Sequence, residues 1–105
     1  MFLAMNRFRV KPGSEDAFEE VWRSRDSYLE QVPGFVSFHL LRGPAQDDHT
    51  LFATQTAWDS REAFEAWTRS EEFRKAHAGA GGNKDLYAGP PALELFDSRQ
   101  QVMPA

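Results

Sequence analysis

Residues 2–10, FLAMNRFRV, alternate with a period of two: Phe2, Ala4, Asn6, Phe8 and Val10 share one face, and Leu3, Met5, Arg7 and Arg9 the other. This is the pattern of a half-buried β-strand. It constrains the fold more than any other stretch, because a slip of one residue in register would turn the whole apolar row to solvent. The row holds one misfit. An amide at Asn6, between Ala4 and Phe8, is costly on a core face unless it finds a partner. A hydrogen bond to backbone or water is one reading, and a polar group aimed at a ligand between sheet and helices is the other.

After this strand, KPGSEDAF reads as a turn and a helix start, with Ser14 as N-cap and Glu15 and Asp16 set to complement the helix dipole. Phe18, Val21, Trp22, Tyr28, Leu29 and Val32 then recur at helical spacing until VPGF ends the helix. FVSFHLLR and HTLFATQTAW read as two strands joined by GPAQDDH, in which Asp47 and Asp48 fit a solvated turn. DSREAFEAW restarts a helix, with Asp59 at the cap and Glu62 completing a capping-box pattern.

Ser70 is followed at once by Glu71 and Glu72, as at the start of a new helix. FEAWTRSEEFRKAH therefore reads as parts of two short helices, roughly 60–69 and 70–78, with a bend between them. The bend matters, since one straight helix would hold Trp67 and His77 roughly 15 Å apart along the axis and about 80° apart around it. Phe73, four residues before His77, shares its helix face. A glycine-rich loop, AGAGGNKDLYAGPP, precedes a last short strand, ALELFDS.

The order β-α-β-β-α-β predicts an α+β, ferredoxin-like subunit: an antiparallel four-stranded sheet with helices on one face. One domain is expected over residues 1–98, with 99–105 as a C-terminal tail. Leu3 and Met5 lie on the face that no helix is left to cover, which argues for a homodimer packed sheet to sheet.

Composition narrows the function classes. The formal net charge is −4 and there is no basic stripe, so no nucleic-acid partner is expected. Cysteine is absent, which removes disulfides, thiolate nucleophiles and iron–sulfur ligation. The first apolar run is too short for a signal peptide or a membrane span, so a soluble, cytoplasmic protein without a membrane partner is expected. GAGG lacks the strand before it and the helix after it that a dinucleotide site needs. His39 and His49 sit on separate strand regions without ligand-like spacing.

The residues leave several choices open. By its spacing Trp67 reads first as a packed core residue, with a ligand wall as the alternative. His77, just ahead of a glycine-rich loop, suits a helix C-terminus or a metal ligand. Arg25 interrupts the apolar face between Trp22 and Leu29, as a snorkelling side chain or as a partner for an anion.

Asn6 in NRF, Trp67 and His77 in WTRSEEFRKAH, and PGF ahead of the second strand together resemble the Isd-type heme-degrading monooxygenases. These belong to the wider antibiotic-biosynthesis-monooxygenase superfamily of dimeric α+β barrels. The resemblance runs in order from about Phe2 to Asp97. It implies heme as both substrate and cofactor, dioxygen, and an external electron donor such as a reductase of unknown identity. It further implies that His77 is the axial ligand of the heme iron, that Asn6 hydrogen-bonds on the distal side, and that Trp67 presses on the porphyrin and ruffles it. Trp22, Arg25, Phe64 and Phe73 would complete the heme pocket, with Arg25 toward a propionate. The reaction implied is oxidative opening of the porphyrin ring with release of iron. A cofactor-free monooxygenase acting on a quinol or anthrone-like aromatic, and a heme carrier or sensor that never degrades its ligand, are the competing readings.

Overall fold

Strand β1 (Phe2–Val10) pairs antiparallel with β3 (Thr50–Trp58) on one side and with β4 (Ala92–Asp97) on the other. Strand β2 (Phe35–Ala45) closes the far edge against β3, so the sheet order is β2-β3-β1-β4. These elements come from a computed structural model that describes residues 1–25, 28–77 and 85–104, with Ala76 and His77 described by backbone alone. Helices α1 (Glu15–Ser24), α2 (Arg61–Thr68) and α3 (Glu71–His77) complete the chain, with a short 3-10 turn at Leu29–Gln31. The architecture is the ferredoxin-like α+β sheet that the alternating periods predict.

Cross-strand register explains where the core forms. On the helix-facing side β1 and β3 bring together Phe2 with Trp58, Ala4 with Thr56, Asn6 with Thr54, Phe8 with Phe52, and Val10 with Thr50. Bulky aromatic pairs thus stand toward both ends of the strands, with small or polar pairs between them. The core divides accordingly. One cluster gathers Phe2, Ala4, Leu29, Trp58 and Phe64, and the other Phe8, Val10, Phe18 and Phe52. Phe18 of α1 meets Phe52 at 4.8 Å and Phe8 at 5.4 Å between ring centroids. Phe64 of α2 meets Phe2 at 5.4 Å and Trp58 at 6.0 Å. Each of these helices is anchored to a different end of the sheet.

Local structure departs from the sequence reading in three places. The first helix stops at Ser24, with Arg25 extended (φ −82°, ψ 131°), rather than running on to the VPGF turn. Tyr28 takes a left-handed conformation (φ 59°), and Leu29 reaches the core from the 3-10 turn instead. Ser60, not Asp59, caps α2: its side chain accepts the Ala63 N–H at 3.1 Å. The backbone N–H of Asp59 is already committed to the Gly34 carbonyl at 2.8 Å. Finally, β2 continues through Gly43, Pro44 and Ala45, which shortens the loop to β3.

The bend between α2 and α3 falls where the sequence predicts it. Ser70 Oγ donates to the Trp67 carbonyl at 2.6 Å and accepts the Phe73 N–H at 3.1 Å, so one hydroxyl ends one helix and starts the next. Gly34 fixes the approach to β2. Its φ of 83° suits glycine, and an added Cβ would stand 2.5 Å from the Ala63 Cβ of α2.

The sheet face away from the helices carries Leu3, Met5, Leu51, Leu41 and Phe96, with Leu41 and Phe96 exposed. Among the described residues no helix is long and apolar enough to cross a membrane.

Two stability measurements test this account. Phe52→Ala empties a fully buried site at the centre of its cluster and should cost about 3–5 kcal/mol in urea unfolding. Ser70→Ala removes both hydrogen bonds at the bend and should cost about 1 kcal/mol. A loss near zero in either variant would contradict the role assigned to that residue.

Candidate functional site

Between the two aromatic clusters lies a cavity of about 320 Å3, at the small end of the roughly 300–1,000 Å3 range of ligand pockets. Its floor is the sheet: Ala4 and Asn6 of β1, Thr54 and Thr56 of β3, Phe38 of β2 and Leu93 of the edge strand β4. Trp22, Arg25 and Leu29 wall it on one side, and Phe64, Trp67, Thr68 and Phe73 on the other. The hollow follows from the register. Alanine, asparagine and two threonines cannot fill the space that phenylalanine and tryptophan fill on either side.

Asn6 is the polar feature of this floor. Its side-chain oxygen Oδ1 is enclosed and has no hydrogen-bond partner among the described residues. A buried acceptor left in that state is destabilising, and fold stability alone would favour an apolar residue. Thr56 donates its hydroxyl to the Ala4 carbonyl at 3.4 Å.

Arg25 brings the charge. Its extended backbone follows the last turn of α1, and its guanidinium lies 4.7 Å from the centre of the Trp22 ring. Burial draws its pKa down, opposed by the nearby Tyr87, and burial pushes the Tyr87 phenol up. Arginine remains a cation throughout. Among the described residues no carboxylate lies within ion-pair distance of it, whereas Arg7, Arg23, Arg42, Arg61, Arg69 and Arg74 all have one. A half-buried cation without a carboxylate on an aromatic wall is suited to an anionic group on a ligand.

Trp67 stands edge-on to Phe73 at 4.8 Å, with Trp58 at 5.3 Å and Phe64 at 6.2 Å. It also lines a second hollow of about 380 Å3, bounded by residues that include Val32, Pro33, Asp59, Ala63 and Glu72. Trp67 therefore borders two spaces.

The residues singled out in the sequence converge. Asn6, Trp22, Arg25, Phe64, Trp67 and Phe73 all line the one cavity. His77 is the last residue of α3, and its side chain lies outside what the structure describes. Most of the glycine-rich loop, residues 78–84, lies outside the described residues as well. Sequence reasoning missed Phe38, Thr54 and Thr56. The signal was present: in HTLFATQTAW the inward positions Thr50, Phe52, Thr54, Thr56 and Trp58 repeat the aromatic-ended, polar-centred pattern of β1.

Asn6→Leu tests whether the amide is held at a cost to the fold. It should raise stability to urea by about 1 kcal/mol or more, because it removes an unpaired buried acceptor and fills free volume. A destabilised variant would mean that the amide is a structural hydrogen-bonding group.

The sequence profile of the antibiotic biosynthesis monooxygenase family matches residues 1–79. A heme-degrading monooxygenase of Bacillus thuringiensis (strain Al Hakam) is 27% identical over 108 residues, an alignment spanning 99% of this chain and 95% of that protein. Among solved structures, the heme-degrader MhuD from Mycobacterium tuberculosis, with two hemes bound in its active site, is 29% identical. It superposes with a TM-score of 0.72 over 98% of this chain and 100% of that one. An N63A mutant of SnoaB, a cofactor-independent oxygenase from Streptomyces nogalater, is 25% identical, with a TM-score of 0.70 over 96% and 95% of the two chains. The chain belongs to the antibiotic biosynthesis monooxygenase family.

Proposed function

We propose that this family member binds heme between its helices and its sheet and opens the porphyrin ring oxidatively, using dioxygen and externally supplied electrons, with release of iron. The observation that carries the reading is the unpaired Asn6 oxygen in the floor of an aromatic cavity, a cost to folding that a ligand site accounts for. Similarity to the heme-degrading monooxygenase of Bacillus thuringiensis and to heme-bound MhuD supports heme as the ligand.

The residues fit such a group. A planar, largely apolar ligand with an anionic edge matches walls of Trp22, Phe64, Trp67 and Phe73 beside the Arg25 cation. Heme is the substrate and brings its own redox-active iron. In this reading His77 supplies the axial imidazole and Asn6 offers its amide on the distal side. Trp67 presses a rigid indole against the ring, backed by Trp58 and Phe73, and distortion of the macrocycle is one of a protein's levers on heme iron. Arg25 holds a propionate, and the aromatic walls keep bulk water from the reacting carbons.

We further propose a cytoplasmic homodimer in which a second copy covers Leu3, Met5, Leu41 and Phe96, with electrons arriving from a separate reductase. A cofactor-free oxygenase acting on a quinol or anthrone-like aromatic is the second reading, favoured by the aromatic cavity and by the similarity to SnoaB.

The test is to titrate hemin into the purified protein, then add ascorbate in air with catalase present and follow the Soret band. The reading expects saturable binding and then loss of the band. His77→Ala should abolish the axial-ligand spectrum, and Asn6→Ala should keep heme bound while slowing turnover by about 10-fold or more. Tight binding without decay would instead indicate a carrier. Absence of specific binding would overturn the heme reading, and oxygen uptake with an anthrone would then support the cofactor-free one.

A further inference from the structure

We propose that Tyr87 is a ligand-binding residue: its phenol donates to the same ligand carboxylate that Arg25 pairs with, so the two side chains form one anion clamp at the rim of the aromatic cavity. The proposal rests on the heme reading above, in which that carboxylate is a porphyrin propionate.

The backbone holds Tyr87 in place. It forms an antiparallel bridge with Val10 at the end of β1. On either side of the bridge the Lys11 N–H donates to the Leu86 carbonyl at 2.8 Å, and the Ala88 N–H to the Arg9 carbonyl at 2.7 Å. Directly opposed residues of an antiparallel pair share a face, and Val10 belongs to the inward row of β1. The ring contacts agree. Tyr87 stacks on Phe8 at 5.8 Å with an interplanar angle of 18°, and stands edge-on to Phe18 at 5.9 Å. Trp22 packs on the same two rings, at 5.9 and 6.3 Å, and carries the Arg25 guanidinium over its own ring at 4.7 Å. Phenol and guanidinium thus flank one aromatic group, near enough for the charge of Arg25 to oppose the effect of burial on Tyr87.

Stacking accounts for the ring and not for its hydroxyl, since phenylalanine would make the same contacts. The phenol makes no hydrogen bond among the described residues, and its oxygen is not one of the enclosed unpaired atoms, so a ligand can reach it. Burial raises its pKa, which keeps it protonated at neutral pH and able to donate. Beside it stands a cation with no carboxylate among the described residues. A donor and a cation together complement the two oxygens of one carboxylate. Trp22 and Arg25 line the cavity and Tyr87 does not, so the phenol meets a group that projects past Arg25, as a propionate does from the porphyrin edge. Arg25 follows α1, whereas Tyr87 is pinned to β1, so the clamp fixes the acid edge of the ligand against helix and sheet at once.

The experiment compares the binding of hemin and of hemin dimethyl ester by wild type and Tyr87→Phe, titrated through the Soret band. Tyr87→Phe keeps the stacked ring, so the ligand-free variant should melt as wild type does. Its affinity for hemin should fall about 3–10-fold, and that for the ester should change by less than about 2-fold. In an Arg25→Gln background Tyr87→Phe should cost less than about 2-fold for hemin, because the carboxylate is no longer held between both groups. Equal losses for hemin and ester would overturn the proposal and assign Tyr87 a packing role. Unchanged hemin affinity in Tyr87→Phe would overturn it too, while leaving the heme reading intact. Absence of saturable hemin binding by wild type would overturn the heme reading and this proposal with it.

Discussion

The cavity exists because two strands carry large aromatic side chains toward their ends and small or polar ones at the middle. Phe2 faces Trp58, and Phe8 faces Phe52. Between them lie Ala4 with Thr56 and Asn6 with Thr54. Phe18 anchors α1 on one cluster and Phe64 anchors α2 on the other, so the helices are propped at the two ends of the sheet and span the gap. Close packing would ordinarily close such a gap, since interiors approach the density of organic crystals. Here the two clusters hold the helices apart over the middle, and Asn6, Trp22, Arg25, Phe64, Trp67 and Phe73 line that opening.

Electrostatics then gives the opening a polarity. Several arginines pair with carboxylates at the surface, where such contacts contribute little. Arg42, for example, reaches Glu19 at 2.9 Å on the outside of the molecule. Arg25 differs because α1 ends one residue earlier and the chain turns extended, which lays the guanidinium over Trp22 at the cavity wall. A helix terminus thus determines where the one charged lining residue on that wall stands. The polar floor at Asn6 and the cation at Arg25 belong to different elements, so a ligand touching both would bridge sheet and helix.

Much of this was legible in the sequence, for physical reasons that differ by element. Period-two alternation gave β1 its inward row, and with it the anomaly at Asn6. The serine followed by two acids at Ser70 marked the bend that separates α2 from α3. Less was legible where tertiary contacts outweigh local preference. Asp59 and Ser60 are both good caps, and the choice fell to Ser60 because the loop before β2 claimed the Asp59 N–H through Gly34. The apolar spacing of Tyr28, Leu29 and Val32 suggested one long helix. The chain instead left the helix at Ser24 and returned Leu29 to the core from a 3-10 turn. Thr54 and Thr56 escaped notice because their meaning depends on which residues of β1 they oppose. Register across strands is a long-range property that neither strand states alone.

The position of Trp67 carries a mechanical consequence. It borders both a hollow of about 320 Å3 and a second of about 380 Å3. A side chain embedded in solid core resists displacement, because every neighbour must move with it. Trp67 is held in that way by Trp58, Phe64 and Phe73, at 5.3, 6.2 and 4.8 Å between ring centroids, so its indole is a stiff boundary that both hollows share. Any change in the position of that ring would reshape both hollows at once.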